Sequence, residues 1–244
     1  MSATWLILGG SSAMARALTR AVAAQGHSVL IAGRDRQDLD ALATDCGLRG
    51  APVSEALSFD ARDPSGYPAL RDRLAATDGV VNVAVFVGSM PPQEDIDADP
   101  ALIEGTVTDS FTGPAQILTL LAPLIEERKG TVVGVGSVAG DRGRIGNYVY
   151  GAAKAGFHTY LAGLRNRLTR AGAHVVTVKP GFVDTAMTWG IEGMFLVAPP
   201  EKVAADILKA VRKRRDVIYT PFFWRYIMLI IRLIPERIFK KMSV

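Results

Sequence analysis

The chain is predicted to form an α/β domain built on a doubly wound parallel sheet. Three observations predict it. Short β-branched or leucine-rich runs alternate with longer segments of helical apolar spacing, each run is followed by a turn, and 49% of the 244 residues are apolar. The runs expected as strands are Thr4–Leu8, Ser28–Ala32, Val80–Val85, Thr131–Val135, Ala173–Val178 and Val217–Tyr219, with a less regular one near Pro52–Phe59. The helical patterns cover Met14–Gln25, Arg36–Asp45, Tyr67–Ala76, Ile117–Arg128, Tyr148–Arg170 and Glu201–Lys213. Strands separated by helices are parallel and joined by right-handed crossovers. No internal repeat or compositional break marks a second domain. Residues 1–220 read as one domain, with Gly181–Pro200 as a loop over the site and residues 221–244 as a helical tail.

A mean hydropathy of +0.20 leaves ample material for a core and excludes disorder. One cysteine, Cys46, makes no intramolecular disulfide, and with His27, His158 and His174 it gives no metal-ligand spacing. A reducing compartment and no metal are expected. Met1–Gly10 lacks a basic start and a long apolar run, so no secretory signal is expected. Phe222–Ile234 is interrupted by Arg225 and Arg232 and is shorter than the about 20 apolar residues that span a bilayer. The expected location is cytoplasmic, with a peripheral place at the inner membrane surface as an option.

The net charge of +4 is unevenly spread: residues 201–244 hold eleven Lys/Arg against four Asp/Glu. Nucleic-acid binders carry positive charge along a groove with interleaved aromatics. Here the cations mix with Phe, Trp, Ile, Leu and Met in the tail, which fits an anionic membrane surface or a phosphorylated ligand. The plain alternative is a solvated basic face on a helix whose apolar side packs on the domain.

Leu6-Ile7-Leu8 runs into Gly9-Gly10-Ser11-Ser12-Ala13-Met14, and helical spacing begins there. A strand entering a helix through small residues lets backbone amides and the positive helix end approach a pyrophosphate. Small residues also serve packing, so the segment gains force from two others. Asp60, after the third strand region, is placed to accept from an adenine amino group. Arg34, after the second strand, lies where a 2′-phosphate or a ribose diol would. A cation there argues for NADP over NAD; Asp35 is the counterargument, and an exposed arginine that contacts nothing is the bland one.

Tyr150 and Lys154 stand four apart in one helical pattern, hence on one face. A cation about 4 Å from a phenol at an effective dielectric near 20 contributes about 4 kcal/mol, or roughly three pKa units. That is expected to bring Tyr150 toward neutrality, where a general acid works best. Ser137, thirteen residues earlier at the end of a buried strand, can hold a substrate carbonyl. Each alone has a plain reading, a turn-capping serine or a surface lysine; together they point to carbonyl chemistry.

These residues, in this order and spacing from Trp5 to about Tyr219, resemble the short-chain dehydrogenase/reductase family. The resemblance implies a single-domain Rossmann-type oxidoreductase in which Tyr150 donates a proton as hydride arrives, Lys154 lowers its pKa and holds the nicotinamide ribose, and Ser137 orients the substrate oxygen. It implies a cofactor site of Gly9, Ser11, Ser12, Ala13, Met14, Arg34, Asp60, Ala61, Tyr150, Lys154, Pro180, Gly181, Val183 and Thr185, with Thr185 at the nicotinamide carboxamide. The chain departs from the family in three places. Ala13 and Ala15 stand for two glycines of the Gly-rich turn. Asn82-Val83-Ala84-Val85 stands for Asn-Asn-Ala-Gly, adding Asn82 and Ala84 to the expected cofactor contacts. Ser110 stands for a helical Asn that supports a water in the proton relay. The end of the chain, from Pro221 through Lys241, looks like that of reductases acting on polyprenylphosphoryl 2-keto-pentoses.

The sequence therefore leads to an NADP(H)-dependent ketoreductase or secondary-alcohol dehydrogenase with catalytic Ser137, Tyr150, Lys154 and Ser110. A small or lipid-linked carbonyl substrate, no nucleic acid, a homodimer or homotetramer, and membrane contact through residues 221–244 are expected. The rivals are an NAD-dependent alcohol dehydrogenase and a non-catalytic dinucleotide sensor or scaffold.

Overall fold

The computed structural model describes residues 3–188 and 196–242. Seven parallel strands form one sheet: β1 Ala3–Leu8, β2 Ser28–Gly33, β3 Ser54–Ser58, β4 Val80–Val85, β5 Thr131–Val135, β6 His174–Pro180 and β7 Val217–Thr220, in the order β3-β2-β1-β4-β5-β6-β7. The predicted strands fall within a residue or two of these. The irregular run at Pro52–Phe59 contracts to β3, which lies at one edge of the sheet and is only partly buried.

Both faces of the central strands are covered, which is why they read as unbroken apolar runs. Successive residues of β1 serve opposite cores. Trp5 and Ile7 pack with α1 (Ala13–Ala23), α2 (Arg36–Leu48) and α8 (Pro200–Arg212). Leu6 and Leu8 pack with α3 (Tyr67–Ala75), α6 (Gly113–Glu127) and α7 (Tyr148–Thr169) on the other side.

Sequence periodicity did not mark the segment between β4 and α6. It holds two short helices, α4 (Gln93–Ala98) and α5 (Leu102–Val107), and a π-helical turn at Thr108–Thr112. Of the expected 181–200 loop, residues 189–195 lie outside the described residues. Its ends meet at a bridge between Val183 and Ala198, and Ala186–Thr188 forms a 3₁₀ turn. The tail forms α9 (Trp224–Leu233) and α10 (Glu236–Phe239). The helix is broken at Ile234, which is extended at ψ 122 before Pro235. A proline without an N–H cannot continue the ladder, and it disfavours helical backbone in the residue before it.

Candidate functional site

The sheet order reverses between β1 and β4, so the chain leaves these two strands in opposite directions and opens a crevice at their C-terminal ends. A cavity of about 630 Å³ occupies it. Gly9 turns the chain out of β1 at φ +83, and a Cβ there would lie 3.1–3.2 Å from the Phe86 and Val87 backbone, so conformation and space both require glycine. The α1 N-cap, Ser12, makes no side-chain capping bond, and the first turn of α1 holds no acidic residue. Its leading N–H groups are thus left for an anion at the positive end of the helix. Ser11, Ser12, Ala13 and Met14 line the cavity there, while Ala15 is fully buried in the helix–sheet core. The two alanines therefore divide the work of the replaced glycines, one at the cavity wall and one in packing.

Arg34 is exposed at the far end of the cavity. Asp35 is occupied as the α2 N-cap, accepting from the Asp38 N–H at 3.1 Å. Sequence reasoning missed a second cation in the wall: Arg16, paired with Asp38 and bonded through Nε to the Ser11 carbonyl at 3.3 Å. One turn of helix from Ala13 to Arg16 carries the signal that would have found it. Asp60 and Ala61 line the cavity, and one Asp60 carboxylate oxygen accepts from the Arg62 N–H at 2.9 Å.

Asn82 and Ala84 do not reach the cavity. Both are buried inside β4, and the Asn82 side chain accepts from the Thr131 N–H at 2.9 Å, tying β4 to the start of β5. The wall at this strand is Phe86-Val87-Gly88-Ser89, four residues further on, because β4 continues as an apolar run with no turn residue before Gly88. The Ser89 hydroxyl is buried and has no hydrogen-bond partner in the protein. Among the loop residues Thr185 lines the cavity with Ala186 and Met187; Pro180, Gly181 and Val183 do not. Pro180 ends β6, Gly181 lies against the Trp224 indole with no room for a Cβ, and Val183 is buried at the bridge to Ala198.

Ser137, Tyr150 and Lys154 come together beside this cavity. Ser137 follows β5 and caps the 3₁₀ turn Val138–Asp141, its hydroxyl accepting from the Ala139 N–H at 3.1 Å. That hydroxyl also hydrogen-bonds the Tyr150 phenol, which favours the phenolate, but full burial outweighs it and pushes the phenol up to about 12. Lys154 does not supply the expected lowering. Its Nζ sits 5.8 Å from the centre of the Tyr150 ring and donates to the carbonyls of Val87 and Val135, each at 3.2 Å. Burial holds the ammonium down to about 8. At neutral pH the site therefore presents a protonated phenol, the form a proton donor needs.

Ser110 lies in the π-helical turn, next to Lys154 across Gly88. Its hydroxyl donates to the Ser89 carbonyl at 3.2 Å and accepts from the Ser89 N–H at 3.3 Å. It pins the loop after β4 to the π-helical turn. The neighbouring Asp109 is held by a two-pronged bond from Arg62, 2.8 Å on each side.

Behind Ser137 lies a polar cluster that the sequence did not mark. His158, one helical turn beyond Lys154, accepts the Ser137 N–H at Nε2 at 3.4 Å and places Nδ1 3.8 Å from Asp141. Asp141 accepts from Lys179 at 2.5 Å and from the Tyr219 phenol at 2.7 Å. Burial first, then the positive charges of Lys179 and Lys154, drop the imidazole to about 3 against the pull of Asp141, so His158 is neutral. An unprotonated Nε2 is also what acceptance from the Ser137 amide requires.

The family model described as short chain dehydrogenase matches residues 3–194. An uncharacterised oxidoreductase of Mycobacterium tuberculosis is 32% identical over 239 residues, covering 97% of this chain and 96% of its own. A serine 3-dehydrogenase of Agrobacterium fabrum is 30% identical, covering 77% of this chain and 75% of its own. Among solved structures, a short-chain dehydrogenase from Sphingobium yanoikuyae in complex with NADPH superposes with a TM-score of 0.81 at 26% identity, covering 93% of this chain and 91% of that one. The sheet order agrees with these matches: the chain belongs to the short-chain dehydrogenase/reductase family of Rossmann-type oxidoreductases.

Proposed function

We propose that this enzyme reduces a ketone to a secondary alcohol, or runs the reverse oxidation, with NADP(H) as its cofactor. The observation that carries the chemistry is the buried, protonated Tyr150 hydrogen-bonded to Ser137, with Lys154 one turn along the same helix. The cavity fits a dinucleotide: its volume, the uncapped start of α1, the glycine cradle at Gly9 and the unpartnered Ser89 hydroxyl all favour a polar, anionic occupant. When bound, the nicotinamide supplies or accepts hydride.

The chain's own residues do the rest. Ser137 offers its hydroxyl to the substrate oxygen and orients it toward Tyr150. Tyr150 donates its proton to that oxygen as negative charge develops. Lys154, held by two carbonyls, keeps a positive charge beside the phenol and stabilises the phenolate that forms. Ser12, Ala13 and Met14 present the helix end to the pyrophosphate. The preference for NADP rests on Arg34 and Arg16 in the cavity wall and on the commitment of Asp35 to capping, which removes the acid that would select a free ribose diol. The NADPH-bound relative supports the same choice.

Dissociation constants for NADPH and NADH test the cofactor. A charge-assisted contact from Arg34 to a 2′-phosphate is worth about 1.5–3 kcal/mol, so Arg34→Ala should shrink the NADPH preference by about 10- to 100-fold. An unchanged ratio removes Arg34 from the site. Tyr150→Phe should leave nucleotide binding intact and lower turnover on ketones by about 100-fold or more; full activity in that variant sinks the mechanism.

A further inference from the structure

The tail is apolar on two opposite sides. With about 3.6 residues per turn, Trp224, Ile227, Met228 and Ile231 share one face of α9, and that face packs on Val138 and Phe182. Tyr226, Leu229, Ile230 and Leu233 fall on the opposite face, and Phe222, just before the helix, lines one groove with Tyr226 and Leu229. Phe222, Ile230 and Leu233 are 71%, 65% and 72% exposed. Of the seventeen large apolar side chains exposed among the described residues, seven lie between Phe222 and Met242. Scattered exposed leucines need no explanation, but a contiguous set on one helix does.

The charge around this face has one sign. Residues 221–242 carry Arg225, Arg232, Arg237, Lys240 and Lys241 against a single acid, Glu236, which Arg142 neutralises at 2.9 Å. Between α9 and the edge strand β7, Arg215, Arg225 and Arg232 line a groove of about 690 Å³ together with Phe222, Tyr226 and Leu229. A second copy packed antiparallel on this face about a two-fold axis would bring these cations side by side. An apolar face rimmed by cations complements a surface whose interior is hydrocarbon and whose headgroups are negative.

We propose that the outer face of α9 docks this enzyme on an anionic lipid bilayer. No helix among the described residues is long and apolar enough to cross a membrane. The ten residues of α9 lie in the interface, with the side chains of Leu229, Ile230 and Leu233 entering the headgroup boundary and the arginines pairing with phosphates. Attachment is reversible and weakens with salt.

The opposite face of α9 is part of the domain packing, so removing the tail would disturb Val138 and the turn that holds Ser137. The test therefore uses the full chain and exposed residues. Co-sedimentation is measured with vesicles of phosphatidylcholine alone and of phosphatidylcholine mixed with phosphatidylglycerol, at low and high salt, with thermal melting as the control for folding. The expected result is binding to the mixed vesicles at low salt, at least about tenfold weaker on phosphatidylcholine alone and lost at high salt. Arg225→Gln/Arg232→Gln should weaken it about 30-fold, and Leu229→Ser/Leu233→Ser at least about tenfold, each with an unchanged melt. Should the leucine pair perturb folding, the arginine pair decides alone. Wild-type protein that ignores the mixed vesicles, equal binding to both lipids, or unchanged binding in the arginine pair overturns the proposal. Self-association that the leucine pair abolishes, in a protein that ignores vesicles, gives the face to a second copy instead.

Discussion

Lowering the pH should destabilise this fold through His158, and the size of the effect follows from the groups around it. The imidazole is buried, accepts the Ser137 amide, and faces the positive charges of Lys179 and Lys154, so it stays neutral down to about pH 3. In the unfolded chain it titrates near 6.5. A folded pKa below the unfolded one gives stability that is complete above pH 6.5 and lost as pH falls toward 3. Between pH 7 and pH 5 the unfolded chain takes up most of a proton here and the folded chain almost none, which removes about 2 kcal/mol; by pH 4 the loss reaches about 3 kcal/mol. His158→Gln retains an acceptor for the Ser137 N–H and does not titrate. Urea unfolding of wild type and His158→Gln at pH 7 and pH 5 isolates this residue from other acids, because those titrate in both proteins. The variant should lose about 2 kcal/mol less between the two conditions, whatever its stability at pH 7. Equal losses would mean that His158 binds its proton as readily in the folded protein as in the unfolded chain, and a smaller loss in wild type that Asp141 holds it as an imidazolium; either outcome means that the reading of its contact with Ser137 is wrong.

Lys154 extends the same trend to the alkaline side. Its folded pKa of about 8 lies below the ordinary 10.5, so stability rises as pH passes from 8 toward 10.5; moving from pH 7 to 9 should add about 1 kcal/mol through this residue, a gain absent in Lys154→Met, as denaturant unfolding would show. Arg142 holds the tail by donating to the Ile231 and Ile234 carbonyls, pairing with Glu236 and stacking 3.7 Å over the Phe239 ring. Arg142→Ala should therefore cost about 2–4 kcal/mol and admit protease first near Pro235, with cleavage at that site mapped by mass spectrometry; first cleavage elsewhere would discount the anchoring.

What the sequence made legible was set by how repetitive the physics is. β1, β4, β5 and β6 are buried on both faces, so their identity is written as short runs rich in Val, Ile and Leu bounded by turn residues. Gly9 was legible because conformation and backbone space require glycine there, and Ser137, Tyr150 and Lys154 because their order and spacing let a strand end and one helix face bring them together. The contribution of β4 was misplaced by four residues for a related reason. Val80 to Val87 is apolar with one Asn inside, and the asparagine drew attention although it serves strand pairing; Gly88-Ser89, the first turn residues after the run, were the better marker. The protonation of Tyr150 could not be read at all, since it depends on burial and on where Lys154 sends its ammonium. The π-helical turn escaped for want of any periodic signal, and Ser110 could be assigned to the Ser89 main chain only once that turn was seen.

The polar cluster and the tail meet at the turn that carries Ser137. Val138 and Ala139 are buried under α9 and α7, with Trp224 and Met228 packed on Val138 from the tail. On the other side His158 accepts the Ser137 amide and approaches Asp141, which in turn holds Tyr219 of the strand leading into the tail. Arg142, at the end of the same turn, grips both sides of the break at Ile234–Pro235. The segment Ser137–Arg142 is thus fixed by contacts from α7, β7 and α9 at once, and the Ser137 hydroxyl inherits its position from all three. The proposed chemistry needs that hydroxyl held to within a few tenths of an ångström of its productive place. On that proposal the required rigidity is supplied in part by residues beyond position 219, and the C-terminal segment supports the Ser137 turn as well as the surface it presents.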